Sequence, residues 1–306
     1  MALAQQFCVN LRIAARSTLL VSWTMYGADV LLAVLSNGGR SGVRKKNKPP
    51  QRSARMRVLL TAIPALDVCG CLLAHYGLTR LGAGPFTLYF STILAVSAAI
   101  SRVLLGTRLS WLQLAGVVLV TGGLLARSLL SGSVAASDDA AGVALTLCAT
   151  CAYAFRTVAM EAAKAMPGAP TGGELSASIG RWGFATLTLW QVIYTIPRWS
   201  ELVGRPSSVA GVSAVRALAH HGAYVVARVA FVLSQNRVIS VAGATGVGLV
   251  TAVRSVVVAL ASAALFCSHT PSQCLTPTQS ACAGLVVAGG VTYALAPPPS
   301  AKLKTR

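Results

Sequence analysis

Acidic residues are scarce in this chain. Aspartate and glutamate together number 7 in 306 residues, against 26 lysines and arginines, and all charged residues make up only 11%. Seven dispersed acids do not suggest the paired carboxylates of a glycosidase site. The sequence also lacks a glycine-rich phosphate loop after a strand and an H-E-x-x-H motif. These absences argue against an enzyme, and the low charge content argues against a soluble domain.

The 8 cysteines do not form a metal-binding pattern. Cys69 lies two positions before Cys71 and Cys148 lies three before Cys151, but both pairs fall within apolar runs without neighbouring ligands. We therefore expect no metal site and no cofactor. Two further cysteines, 267 and 274, flank a short polar loop, for which a disulfide and free thiols are alternatives.

Hydrophobic residues are what the chain has in abundance. They make up 55% of the sequence, and the mean hydropathy is +0.67. Long apolar runs of this kind predict an all-α, polytopic membrane protein whose partners are the lipid bilayer and a small-molecule solute, with no nucleic acid. Nine spans are predicted, at about 13–35, 58–79, 83–105, 111–130, 141–162, 178–196, 209–234, 241–266 and 277–295.

Positive charge is concentrated in one predicted loop. Residues 40–57 contain eight lysines and arginines and no acid. Such a loop is typical of the cytosolic side, and binding to anionic lipid is an alternative role for it. With nine spans, the amino terminus is then non-cytosolic and the short basic tail is cytosolic.

The sequence repeats part of itself. LSWLQ at 109–113 precedes an apolar run with two adjacent glycines, and LTPTQ at 275–279 does the same. We expect an N-terminal repeat half of about four spans at 1–131, a connection at 132–140, and a C-terminal half of five spans at 141–306. Internal repeats of this kind are typical of secondary transporters, whose substrate site lies near the middle of the membrane.

Several charged residues lie inside predicted spans. An arginine at the centre of a span costs about 2.5–3.5 kcal/mol on insertion scales, so it is expected to face a cavity or the protein interior. A structural arginine bonded to carbonyl groups, and an acid that only neutralises an arginine, are the alternatives. The candidate cavity residues are Arg254, Thr251, Asp67, Arg216, His220 and Arg228.

Three segments carry a family resemblance. GPFTLYFSTILAVSAAISRVLLGTRLSWLQLAGVVLVTGGLLA, GLVTAVRSVVVALASAALF and LTPTQSACAGLVVAGGVTYAL resemble the paired halves of the drug/metabolite transporter superfamily. Within it the chain is most similar to the solute carrier family 35 type, in its F branch, which is related to nucleotide-sugar transporters and to chloroquine-resistance-transporter-like proteins. IPALDVCG and TAVRS match that branch in order.

The resemblance implies ten helices in two inverted five-helix halves, with alternating access to a solute site between them. It also implies that Asp67 and Arg254 occupy polar cavity positions. Because nine spans are predicted, we expect the family's first helix to be missing, either from the gene model or through divergence.

The functional hypothesis is a secondary transporter for a small anionic metabolite, nucleotide-sugar-like or otherwise phosphorylated or organic. The excess of arginine over acid within the spans favours an anion. A transporter of cationic drugs, amines or peptides and a non-transporting membrane scaffold are the alternatives. We expect an endomembrane location (Golgi, endoplasmic reticulum or lysosome-like), with the plasma membrane as the alternative, and the sequence leaves open a homodimer.

Overall fold

The protein is all-helical in the part that its structure, a computed structural model, describes, namely residues 15–38, 53–106, 110–130, 140–267 and 276–296. This confirms the predicted all-α class. The helices are α1 Leu20–Gly38, α2 Ala54–Leu81, α3 Ala83–Phe90, α4 Ile93–Leu105, α5 Trp111–Leu130, α6 Ala140–Lys164, α7 Gly172–Trp190, α8 Arg205–Val209, α9 Ala214–Phe266 and α10 Pro277–Ala294.

Three of the described helices are long and apolar enough to cross a bilayer. They are Ala54–Leu81, Ala140–Lys164 and the Ala214–Ala244 portion of α9; shorter apolar helices include Ile93–Leu105 and Ser280–Tyr293. Large apolar side chains point outwards from these helices, with Val241 88% exposed and Val103 81% exposed. Exposure of this kind fits lipid contact far better than contact with water.

Two glycines with positive φ mark the ends of helical segments. Gly82, at φ 78°, separates α2 from α3, and Gly243, at φ 67° and ψ −169°, interrupts α9 without a loop. Residues 235–240, which separate the predicted spans 209–234 and 241–266, remain helical, and the interruption lies at Gly243 instead. The predicted span 83–105 is wrong as a single helix, since it divides into α3 and α4.

The segment after α7 is helical but irregular. Residues Gln191–Thr195 and Ser200–Gly204 form wide π turns, and Ile196–Arg198 forms a 3-10 turn around Pro197. Proline removes one backbone donor and crowds the preceding turn, which explains why the regular hydrogen-bond pattern is lost here. Between the predicted spans 178–196 and 209–234 the chain thus remains helical through α8 and turns only after it.

The chain forms two compact units. Unit 1 comprises the described parts of Leu3–Cys71 and Ala162–Arg237, and unit 2 those of Leu72–Glu161 and Val238–Arg306. In unit 1, α1 packs against α7; in unit 2, α5 packs against α10. Each compact unit combines segments from both of the predicted repeat halves, 1–131 and 141–306. A repeat half is a stretch of consecutive sequence and a compact unit is a group of packed segments, so these units do not test the predicted halves.

The contact between α5 and α10 is symmetric. A side-chain carbon on Gly289 would meet residues 116, 119 and 120, and one on Gly123 would meet residues 282, 285 and 286. A shift of 166 residues turns 116, 119, 120 and 123 into 282, 285, 286 and 289, so each contact set maps onto the other. The helices also run in opposite directions, because 116 lies beside 289 and 123 beside 282. This pseudo-two-fold contact supports the inverted repeat that the sequence predicts.

Candidate functional site

Unit 1 buries a charged pair between α1 and α9. Nε of Arg228 donates to Oδ1 of Asp29 at 2.8 Å, and its Nη2 donates to Oδ2 at 2.6 Å. Both side chains are buried. Two parallel bonds of this kind are the strongest arrangement that a guanidinium makes with a carboxylate. Asp29 therefore uses both of its oxygens on Arg228.

A second acid lies in the same buried region. The hydroxyl of Tyr26 donates to Oδ2 of Asp67 at 2.8 Å, and Arg228 attracts Asp67 electrostatically. Asp67 is 1% exposed and Tyr26 is fully buried. We call Tyr26, Asp29, Asp67 and Arg228 the α1–α9 polar network.

Two glycines of α7 leave room for this network. A side-chain carbon on Gly180 would lie 2.9 Å from Cβ of Asp29, and one on Gly183 would overlap the ring of Tyr26. The i, i+3 spacing places both glycines on one face of α7. Small residues on a helix face let two backbones approach closely in a membrane. The two glycines of α7 thus leave the space that Tyr26 and Asp29 of α1 occupy at this interface.

Unit 2 contains two arginines around one tyrosine. The guanidinium carbon of Arg156 lies 5.5 Å from the ring centroid of Tyr153, within the range of a cation–π contact. Arg254 interacts electrostatically with the same tyrosine, and Phe90 packs edge-on against its ring at 5.7 Å. Thr251 is buried one helical turn before Arg254. We call Tyr153, Arg156, Thr251 and Arg254 the Tyr153 cluster.

A glutamate caps the helix segment that follows the interruption of α9. Oε2 of Glu161, near the end of α6, accepts a hydrogen bond from the backbone N–H of Ala244 at 2.8 Å. Ala244 begins the second segment of α9, directly after Gly243. The amino end of a helix carries unsatisfied N–H groups and a partial positive charge, so a carboxylate is a favourable cap. The carboxylate of Glu161 therefore binds a backbone amide of α9.

The other two sequence candidates lie elsewhere. Arg216 is exposed near the start of α9, and His220 is half-buried one turn later. Nδ1 of His220 lies 2.7 Å from the carbonyl oxygen of Arg216. Since a carbonyl only accepts, this contact requires a proton on Nδ1. Arg216 and His220 therefore contact each other near the start of α9, and His220 lies two helical turns before Arg228 on the same helix.

The six candidates from the sequence thus fall into three places. Asp67 and Arg228 belong to the α1–α9 polar network, Thr251 and Arg254 to the Tyr153 cluster, and Arg216 and His220 to the start of α9. The sequence analysis did not identify Tyr26 or Tyr153, the tyrosines that contact the charged residues of the α1–α9 polar network and of the Tyr153 cluster. A signal was available for Tyr153, which lies three residues before a buried arginine on the same helix; nothing in the sequence marks Tyr26.

Comparison with known proteins supports a transporter fold. Residues 10–129 match the family model described as EamA-like transporter family, which belongs to the drug/metabolite transporter superfamily. A solved crystal structure aligns over 95% of this chain and 92% of that chain, with a TM-score of 0.55 and 16% sequence identity, so the likeness extends to the fold alone. No curated protein matches the sequence. The chain is a multi-pass membrane protein, and its residues 10–129, less than half of its length, are similar to the EamA-like transporter family.

Proposed function

We propose that this protein is a secondary transporter that moves a small organic anion by alternating access, and that Arg254 contacts the anion. The observation that carries the proposal is the pair of arginines around Tyr153. Two guanidinium groups that interact with one tyrosine make a locally positive site. A phosphate or carboxylate supplies the complementary charge and accepts two parallel hydrogen bonds from a planar guanidinium.

Most of the acids of the described residues have partners of their own. Seven acids occur in the chain, and five of them lie in the part that the structure describes. Asp29 is bonded to Arg228, Asp67 to Tyr26 and Glu161 to the amide of Ala244. The remaining two are Glu174, which caps the start of α7, and Glu201, which is exposed.

Arg254 is favoured over the other arginine candidates by its surroundings. Arg228 is held by two bonds to Asp29, and Arg216 is exposed near the start of α9. Arg254 is half-buried and has a hydroxyl donor, Thr251, on the same helix face. The match of residues 10–129 to the EamA-like family supports a transporter of small solutes. That the solute is an anion is our proposal.

The test is uptake of radiolabelled solutes into liposomes that contain the purified protein. The panel comprises nucleotide sugars, other phosphorylated metabolites, dicarboxylates and organic cations. We expect uptake of one anionic class, loss of that uptake in Arg254→Ala, and partial uptake in Arg254→Lys, because an ammonium group carries the charge without the planar fork. Arg102→Ala is the matched control, since Arg102 is an exposed arginine near the end of α4.

Two results would overturn the proposal. One is wild-type anion uptake by a correctly inserted Arg254→Ala protein. The other is transport by the wild-type protein that is confined to organic cations.

A further inference from the structure

Two rings and a guanidinium stack at the end of α7 and in the irregular segment after it. The rings of Trp190 and Tyr194 lie with their centroids 4.8 Å apart and their planes at 28°, and the guanidinium carbon of Arg198 lies 5.0 Å from the Tyr194 centroid. The three residues are spaced by four, so they follow one face of the helix. We propose that this group, the Trp190–Tyr194–Arg198 stack, is a binding site for the phosphate of a membrane phospholipid, which Arg198 binds.

The stack is held in place at its tryptophan. Nε1 of Trp190 donates to the carbonyl oxygen of Ser17 at 3.1 Å, and Nε2 of the neighbouring Gln191 donates to the carbonyl oxygen of Thr18 at 2.7 Å. These bonds fix Trp190 against the turn before α1, and its ring in turn supports the ring of Tyr194. A guanidinium that already lies on a supported ring loses less conformational freedom when it binds a ligand.

The exposed residues of this helix indicate where Arg198 lies in the bilayer. An arginine followed by a tryptophan occurs at 181–182 and again at 198–199, which is about 26 Å along a helix, close to the thickness of the hydrocarbon layer. The large aliphatic side chains exposed between the two pairs are those of Leu189, Val192, Ile193 and Ile196. Beyond Trp199, the exposed side chains of Ser200 and Glu201 are polar. Tryptophan and arginine are typical of the level at which the lipid headgroups begin, so Arg198 lies at the depth of lipid phosphates.

The charge and shape of Arg198 suit a phosphate. Its nearest acid in sequence is Glu201, and the structure, which describes both side chains, gives no ion pair between them. Arg205, a second exposed arginine, leaves the balance of this segment positive. A guanidinium donates hydrogen bonds in its plane and packs on a ring through its face, so Arg198 can bind two phosphate oxygens and remain on Tyr194.

The test needs no transported solute. The full-length protein is delipidated in detergent and titrated with phosphatidylglycerol, and native mass spectrometry gives the dissociation constant of the tightest lipid site. We expect Arg198→Ala to weaken this site about tenfold or more, because charge-assisted hydrogen bonds to the phosphate are lost. Tyr194→Leu should weaken it about two- to fivefold, because the guanidinium loses its ring, whereas Tyr194→Phe keeps the ring and should bind as the wild type does.

Arg181→Ala is the matched control. Arg181 is an exposed arginine beside a tryptophan on the same helix, and the structure, which describes it, gives it no ring contact; its loss should leave the tightest site unchanged. Diacylglycerol, which lacks the phosphate, should not occupy the site, and glycerol phosphate, which lacks the acyl chains, should not displace the lipid at equal concentration. Wild-type lipid affinity in Arg198→Ala or Tyr194→Leu, or equal weakening in Arg181→Ala, overturns the proposal. Displacement by glycerol phosphate would show a site for a soluble phosphate and overturns the lipid as its ligand.

Discussion

Arg228 and Asp29 join α9 to α1 through two short hydrogen bonds, although 199 residues separate them in the chain. Removal of either partner leaves a buried charge without its counter-charge. We expect Arg228→Ala and Asp29→Ala each to destabilise the protein by about 3–5 kcal/mol. The double variant should lose much less than the sum of the two, because neither member of the pair is then left without its counter-charge. Thermal unfolding in detergent measures this; additive losses would contradict the pairing.

A second prediction concerns the glycines of α7 that pack against α1. In Gly183→Ala the new methyl group overlaps the ring of Tyr26, which is fully buried and packed on all sides. Overpacking of this kind costs about 1–3 kcal/mol. Gly222→Ala on α9 is the matched control, since no atom lies within 4 Å of the added carbon; it should be neutral or stabilising by up to about 1 kcal/mol. Equal unfolding temperatures for the two variants would show that α1 and α7 are not packed this closely.

A third prediction concerns the symmetric contact between α5 and α10. A methyl group on Gly116 would lie 2.6 Å from the carbonyl oxygen of Gly289, and one on Gly289 would lie 2.7 Å from that of Gly116. Backbone oxygen cannot rotate away, so both alanine variants should be less stable, and by similar amounts because the contacts are equivalent. Gly122→Ala and Gly284→Ala, on the same two helices, face open space and serve as controls. Loss of stability in the controls but not in the contact glycines would contradict the interface.

Hydropathy predicted the positions of most helices well. Trp111–Leu130 coincides with its predicted span, and α10 ends one residue before its own, because the bilayer demands apolar segments of a fixed length. The repeated LSWLQ and LTPTQ segments also predicted an equivalence that the α5–α10 contact supports.

The sequence did not predict how polar side chains pair. The partner of Arg228 comes from a helix far away in the chain, and hydropathy contains no information on such contacts. The division of α9 was predicted a few residues too early. The predicted spans 209–234 and 241–266 are separated at 235–240, whereas the interruption lies at Gly243 and requires only its positive φ.

The cysteines at the end of α9 give a fourth prediction. Cys267 is disulfide-bonded, and Cys274, which the sequence suggested as its partner, lies outside the described residues. We expect mass spectrometry of the unreduced protein to find the peptides of these two cysteines linked. Such a bond requires an oxidising compartment, which agrees with a non-cytosolic loop. If both cysteines are alkylated without prior reduction, the disulfide and this sidedness are wrong.

The capped break in α9 gives the last prediction. The carboxylate of Glu161 accepts the N–H of Ala244 and lies at the positive end of the helix segment that carries Arg254. Glu161→Gln keeps an acceptor but loses the charge, which costs about 0.3–1 kcal/mol. Glu161→Ala also loses the cap, for a total of about 0.5–2 kcal/mol. We therefore expect stability to fall in the order wild type, Gln, Ala.

Gly243→Ala disturbs the same break from the other side. An alanine at φ 67° costs about 1–2 kcal/mol, and its methyl group would lie 2.9 Å from Oε1 of Glu161. Because both changes displace the same carboxylate, the Glu161→Ala/Gly243→Ala protein should lose less stability than the sum of the single variants. Arg254 lies on the segment that begins at this cap, so each variant should also raise the KM for the anion. Unaltered KM values together with additive stability losses would show that Glu161 does not position this helix segment.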